Sequence, residues 1–320
     1  MWQEIIIIVI SFIVMAWSSD LFVDAAVAIS YHLQMPKVII GTVLVGFTTA
    51  VPELLVSLDA AIHQASGIAI GNALGSYVIN ISLVLGVTAI VRPIQVSLPI
   101  LQREVPVMAI ALAIAFFLMH DGYFYPADGY ILLGCLLVTV SVGTYVILRA
   151  RARHQEPRIA LAVKYSPMVA WLYLLIGLFL LIASARSLTT ASVDLAHFFG
   201  VSDLIIGLTI VAIGTSLPEL AASIAGVKKG EDDIAIGNVI GSNILGLFAV
   251  LAMPALFSPG QLDPLILQRD FAYMALTTAA FWIACYCFDG DILRINKREG
   301  WCGVLLFLGY ILLLYAFPGS

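Results

Sequence analysis

Charge is what this chain has least of. Asp, Glu, Lys and Arg make up only 11% of its 320 residues, against 62% hydrophobic ones, whereas soluble domains carry roughly a quarter charged residues. That balance excludes an ordinary soluble domain. Cysteine is scarce too. Cys135, Cys285, Cys287 and Cys302 lie in or beside apolar segments and form no CxxC pair, so they read as packing residues rather than metal ligands. Catalytic signatures are missing as well: the chain has no HExxH, no GxSxG and no P-loop. No enzyme chemistry, cofactor, nucleotide or nucleic acid is therefore expected. Without a nucleotide site, the driving force for any transport is an ion gradient. Long polar stretches are also lacking, the longest running from Arg149 to Tyr165.

What fills the chain is apolar runs near the length that spans a bilayer. They fall near residues 3–29, 38–61, 68–91, 105–119, 127–148, 167–188, 204–226, 234–257, 270–288 and 300–317. The expected fold is an all-α integral membrane protein of about ten transmembrane helices. The first run lacks a basic start and a small-residue cleavage site, so it reads as a membrane helix rather than a signal peptide.

The chain is also a tandem duplication. Val38–Glu104 aligns with Leu204–Asp270 without a gap, with roughly 25 of about 67 positions identical. The expected domains are 1–148 and 167–320, each of five helices, joined by a linker at 149–166. With ten helices, all but Arg186 and Arg269 of the 15 Lys and Arg fall in loops on one side. Basic residues collect in cytoplasmic loops, so the linker is expected in the cytoplasm and both termini outside. Five helices is an odd number, so the second copy is expected upside down. Inverted repeats of this kind build alternating-access transporters.

Each copy carries an acid inside an apolar run. GTVLVGFTTAVPELLVS (Gly41 to Ser57) holds Glu53, and GLTIVAIGTSLPELAAS (Gly207 to Ser223) holds Glu219. A carboxylate at membrane depth is expensive and marks an ion or proton pathway. Residues four apart share a helix face, so Thr49, Glu53 and Ser57 form one polar stripe and Thr215, Glu219 and Ser223 its twin. Pro52 and Pro218 offer no N–H, which loosens the carbonyls of Thr48 and Gly214. The next helix adds Asn72, Ser76 and Asn80 in one copy, and Asn238, Ser242 and then Gly246 in the other. The GxxxG glycines at 71/75 and 237/241 allow close helix approach, which would set this stripe against the Glu stripe. All these groups are oxygen donors, which suit hard cations such as Ca²⁺ and Na⁺. Two carboxylates would neutralise one Ca²⁺. Asp20, Asp24 and Asp59 read as helix-end or interfacial residues, as do the five histidines near loop ends.

TAVPE and GTSLPE, followed by GNALGS and GNVIGS, resemble the cation/Ca²⁺ exchanger superfamily, in its prokaryotic Na⁺/Ca²⁺ antiporter branch. The resemblance covers essentially the whole chain. It implies Glu53 and Glu219 as central Ca²⁺ ligands, with the carbonyls of Thr49 and Thr215 completing the shell and Asn80 lining it. It implies flanking Na⁺ sites from the Thr49 and Thr215 hydroxyls, Ser76, Ser242 and the carbonyls of Gly46 and Ala212. Two amphipathic, loosely packed helices, the first and sixth, would slide across this core. The chain departs from the family at Ala50, where a Ser is usual. It departs again at Gly246, where an Asn or Asp opposite Asn80 is common, and this removes one oxygen ligand.

The expected function is an antiporter exchanging Ca²⁺ for Na⁺, with Ca²⁺/H⁺ exchange as the rival reading. Hydroxyls near both acids favour Na⁺. A passive channel is disfavoured, since channels ring a pore with several subunits. The expected partners are Ca²⁺, Na⁺ and the lipid bilayer, with the chain acting as a monomer. The expected location is the bacterial inner (plasma) membrane.

Overall fold

The computed structural model describes residues 2–317 apart from 34, 36, 154–164, 200–211, 287, 290 and 291. It is built almost wholly of helices, as a chain in lipid must satisfy its backbone polar groups internally. They are α1 (Trp2–Leu33), α2 (Lys37–Thr49), α3 (Val51–Ile62), α4 (Ser66–Val91), α5 (Ile100–Met119) and α6 (Pro126–Arg153). The second half has α7 (Pro167–Phe198), α8 (Ala212–Thr215), α9 (Leu217–Lys228), α10 (Asp232–Phe257), α11 (266–285) and α12 (Lys297–Ala316).

Seven of these are long and apolar enough to cross a membrane, and α2 with α3, bent by 41°, makes an eighth. Two of the ten expected spans fall short of that test for different reasons. The segment at 204–226 lies partly outside the described residues. Helix α11 opens on Gln268, Arg269 and Asp270, which lower its mean hydropathy. Helix α6 also runs on through 149–153, into the stretch expected to be linker.

Burial sorts the helices into shells. The most apolar stretches of α4 and α10 are 72% and 83% buried, so these repeat-related helices form the centre. Helices α6 and α12 lie at the rim, where only 17% is buried. Helices α1 and α7 pack on each other in an apolar cluster separate from the main core, touching α2, α9 and α10 through Ile40, Val45, Ala222 and Ile234. They are largely apolar, and their few polar residues are not gathered on one face, as suits helices that meet lipid on one side and apolar protein on the other.

Glycines set the closest crossing. A Cβ on Gly46 would stand 2.7 Å from Asn238 O, and one on Gly237 2.7 Å from Val38 O. A Cβ on Gly241 would overlap the carbonyl of Thr42. Thus the second GxxxG serves α2 against α10, where backbones meet with no side chain between them.

Two small sheets reveal the orientation of the copies. Strand β1 (Ile94–Gln95) pairs antiparallel with β5 (Ile292–Ile295), which also pairs with β4 (Phe288–Asp289). Strand β2 (Tyr123–Phe124) pairs antiparallel with β3 (Gly260–Gln261). β1 and β3 occupy the same position in the repeat alignment. Yet β1 precedes α5 and β2, the partner of β3, follows it, so the two sheets lie at opposite ends of that helix. A 20-residue helix is about 30 Å long, the depth of the hydrocarbon core. Equivalent loops therefore sit on opposite faces, and the second copy is inverted. Each sheet also joins one copy to the other.

The glycine crossing yields a stability prediction. Gly241→Ala should cost about 1–3 kcal/mol by overpacking, read as a lower melting temperature in detergent. Gly134→Ala on α6, where an added Cβ meets nothing within 4 Å among the described residues, should melt like the parent protein. Equal melting of both variants would refute the tight crossing.

Candidate functional site

The prolines act as expected on the backbone. Helix α2 stops at Ala50 (φ −79°, ψ 3°), and α3 restarts with Pro52 in its first turn. Ser216 (φ −94°, ψ 6°) makes the same break before Pro218 in α9. At the first break Ala50 donates its N–H to Gly46 O at 3.2 Å and accepts from Leu54 N–H at 3.1 Å. At the second Ser216 donates its N–H to Ile213 O and accepts from Leu220 N–H, each at 3.1 Å. Each Glu thus sits in the first turn of a restarted helix, where the N-terminal amides favour negative charge.

Both carboxylates are buried, Glu53 at 3% exposure and Glu219 at 0%. None of their four oxygens has a hydrogen-bond partner among the described residues. The charge on Glu53 also acts on Glu219, so the two acids are electrostatic neighbours. The Thr49 side chain lies near Glu219 too, but its hydroxyl donates elsewhere, to Asn238 Oδ1 at 2.9 Å.

The polar stripe of the central helices braces each Glu through its backbone. Asn72 Nδ2 donates to Glu53 O and to Ser57 Oγ, both at 2.9 Å. Asn238 Nδ2 donates to Glu219 O at 3.1 Å and to Ser223 Oγ at 2.9 Å. Ser57 and Ser223 donate onward to Ala69 O and Ala235 O. The same brace occurs in both copies. Because Asn238 also takes the Thr49 proton, it ties the first Glu segment to the second.

A cavity of ≈ 10 Å³, about the size for a single water, lies beside Glu53. Ser76, Asn80, Ser242, Asn243 and Gly246 line it. The central helices widen here: Asn80–Val84 and Gly246–Val250 are π-helical at equivalent repeat positions, a distortion common at functional sites. Asn80 is buried, and its Oδ1 has no partner among the described residues.

The expected site residues are thus unequally placed. Glu53, Ser76, Asn80 and Ser242 meet at one cavity, and Glu219, which does not line it, is close enough to Glu53 to feel its charge. Thr49 is joined to the Glu219 segment through Asn238. The carbonyl of Gly46 accepts from Ala50 N–H at 3.2 Å and stands as a longer alternative acceptor, at 3.3 Å, for the Thr49 hydroxyl. Thr215 is half-buried at the end of α8, and Ala212 begins that helix. Asn243 is the residue that sequence reasoning missed. Its repeat partner is Tyr77, which hydrogen-bonds Thr278 at 2.7 Å, so the alignment gave no polar signal there.

The peripheral acids have other work. Asp24 and Asp20 of α1 pair with Lys229 at 2.8 and 3.6 Å. Asp59 is exposed beside His63, as suits a helix end.

Comparison with known proteins places this arrangement. A family model described as "Sodium/calcium exchanger protein" matches residues 4–147 and again 169–316. The chain is 38% identical to the putative antiporter CaxA of Alkalimonas amylolytica, over 97% of this chain and 98% of that protein. It is also 38% identical to the inner membrane protein YrbG of Escherichia coli, over 96% and 94%. It is 28% identical to the sodium/calcium exchanger MaX1 of Methanosarcina acetivorans, over 97% and 98%. A structure of the sodium-calcium exchanger NCX_Mj, soaked with Na⁺ and Sr²⁺, superposes with a TM-score of 0.81 at 27% identity, covering 98% of each chain. The chain belongs to the sodium/calcium exchanger protein family, a family of membrane transporters.

Proposed function

We propose that this chain exchanges Ca²⁺ for Na⁺ across the membrane by alternating access. The observation that carries the reading is the pair of buried carboxylates, one from each inverted copy, whose oxygens have no hydrogen-bond partner among the described residues. Such charges are costly unless neutralised, and a divalent cation neutralises both at once. Ca²⁺ takes six to eight oxygens at flexible distances. Glu53 and Glu219 would supply the charged ones, and Asn80 with the Thr49 and Thr215 carbonyls the neutral ones. Na⁺ carries half the charge and would be held by the same acids, helped by the hydroxyls of Ser76, Ser242, Thr49 and Thr215 and by the carbonyls of Gly46 and Ala212. Competition for shared ligands couples the two ions.

The two inverted copies, 1–148 and 167–320 around a linker at 149–166, present the site alternately to either face. Helices α1 and α7, packed on each other apart from the main core, are the elements that move. The bias of Lys and Arg puts the linker in the cytoplasm and both termini outside. The inner membrane is the proposed location, in keeping with the name of the Escherichia coli relative. One chain holds both acids, which supports a monomer as the working unit.

Three measurements test this. Vesicles loaded with Na⁺, with pH clamped on both sides, should take up Ca²⁺ when external Na⁺ is removed. Uptake that answers only to a pH gradient would give Ca²⁺/H⁺ exchange instead. Glu219→Gln should reduce Ca²⁺ transport to background in protein that still folds and inserts; transport at the normal rate would remove Glu219 from the site. Gly246→Asp has room, since a Cβ there meets nothing within 4 Å among the described residues. The added carboxylate should move the Na⁺ titration midpoint roughly tenfold, equivalent to ~1.4 kcal/mol. An unchanged titration would place position 246 away from the ions.

A further inference from the structure

On the face that meets the cavity the two central helices differ in polar side chains at two positions. Tyr77 and Asn80 of α4 correspond to Asn243 and Gly246 of α10. Position 246 therefore offers Asn80 no side chain. Asn243, three residues earlier and so on the same face, does. Asn80 Nδ2 donates to Asn243 Oδ1 at 3.2 Å and to Ser242 Oγ at 3.4 Å.

Both acceptors are fixed in that role. The Ser242 hydroxyl gives its proton back along the helix, to Asn238 O at 3.0 Å or Val239 O at 3.1 Å. Only its lone pairs remain for Asn80. The Asn243 Nδ2 is turned to the thioether of Met108, 3.8 Å away, which leaves Oδ1 on the Asn80 side. With its nitrogen held, the Asn80 amide has its oxygen free, and that buried oxygen has no donor among the described residues.

An amide has two opposite ends. Its oxygen is a cation ligand, whereas its NH₂ repels a cation and donates to carboxylates. Glu53 lines the same cavity. An Asn80 amide turned round would offer its NH₂ to that carboxylate in a charge-assisted bond, in direct competition with the ion. We propose that Asn243 is the positioning residue that holds Asn80 oxygen-inward and so sets the affinity of the central site for a hard divalent cation. This rests on the Ca²⁺ reading of that site. It assigns to Asn243 the contact that the missing side chain at 246 cannot make.

The test is Ca²⁺ transport kinetics in vesicles for the full chain. Asn243→Ala should raise the KM for Ca²⁺ about tenfold, the low end for loss of an outer-shell partner, and change KM more than maximal rate. Asn243→Asp has oxygens only, so it cannot present a donor to Asn80 and should recover most of the affinity. In an Asn80→Ala background, Asn243→Ala should change nothing further, because one interaction cannot be lost twice. Should the alanine variant melt early, Asn243→Leu keeps the volume without the acceptor and should show the same KM rise. Wild-type KM in the Ala or Leu variant would overturn the proposal, as would additive effects of the Asn80 and Asn243 changes, or an Asp variant as weak as Ala. Absence of Ca²⁺ transport in the parent chain would instead fell the exchange reading itself.

Discussion

A carboxylate inside a membrane bundle must be neutralised, and this chain does so in two different ways. At Asp270 the protein supplies everything: Arg269 donates through Nε at 2.8 Å and through its terminal nitrogen at 3.0 Å, and Tyr310 adds its hydroxyl at 3.0 Å. At Glu53 and Glu219 no cationic or hydroxyl side chain among the described residues makes a hydrogen bond of good geometry to the oxygens. The donors nearby are spent on the backbone instead, as Asn72 and Asn238 show. Side chains of the right type are present and aimed elsewhere, which supports the proposal that a cargo ion supplies the charge while the protein supplies position.

Position is fixed by short, nested constraints. The helix breaks at Ala50 and Ser216 put each acid in a new first turn. The asparagine braces lock that turn to the next helix. The glycine crossing of α2 with α10 then brings backbones close enough for Thr49 to reach Asn238 at 2.9 Å. A cation held between the acids would thus report on both copies, since the brace of Glu219 is hydrogen-bonded to the segment that carries Glu53. Communication between the halves needs no path longer than one side chain.

Much of this was legible from residues alone. Apolar runs marked the helices, and the duplication marked Glu53 and Glu219 as a pair, because both signals survive in any window of the sequence. The proline breaks followed from a missing N–H. Other features depend on neighbours distant in the chain. Strands of two to four residues have no pattern of their own; Ile94–Gln95 is a strand only because Arg294 and Ile295 lie beside it. The π-helical turns at 80–84 and 246–250 leave no mark in the apolar pattern. Asn243 was hidden by the repeat itself, since alignment set it against Tyr77 and drew attention to the empty position at Gly246. Scanning one turn back along the same helix face would have found it. The amphipathic character expected of the first and sixth spans is not seen, because their polar residues, such as Asp20 and Asp24 beside Lys229, answer to local partners rather than to one wet face.

The paired strands at the two ends of α5 carry a mechanical consequence. β1 with β5 and β2 with β3 staple one half of the molecule to the other at both membrane surfaces. In the proposed exchange cycle, a clamshell hinge between the halves would have to break one staple at each turn. Stapled top and bottom, the inner bundle would then serve as a stator, with the moving parts outside the staples.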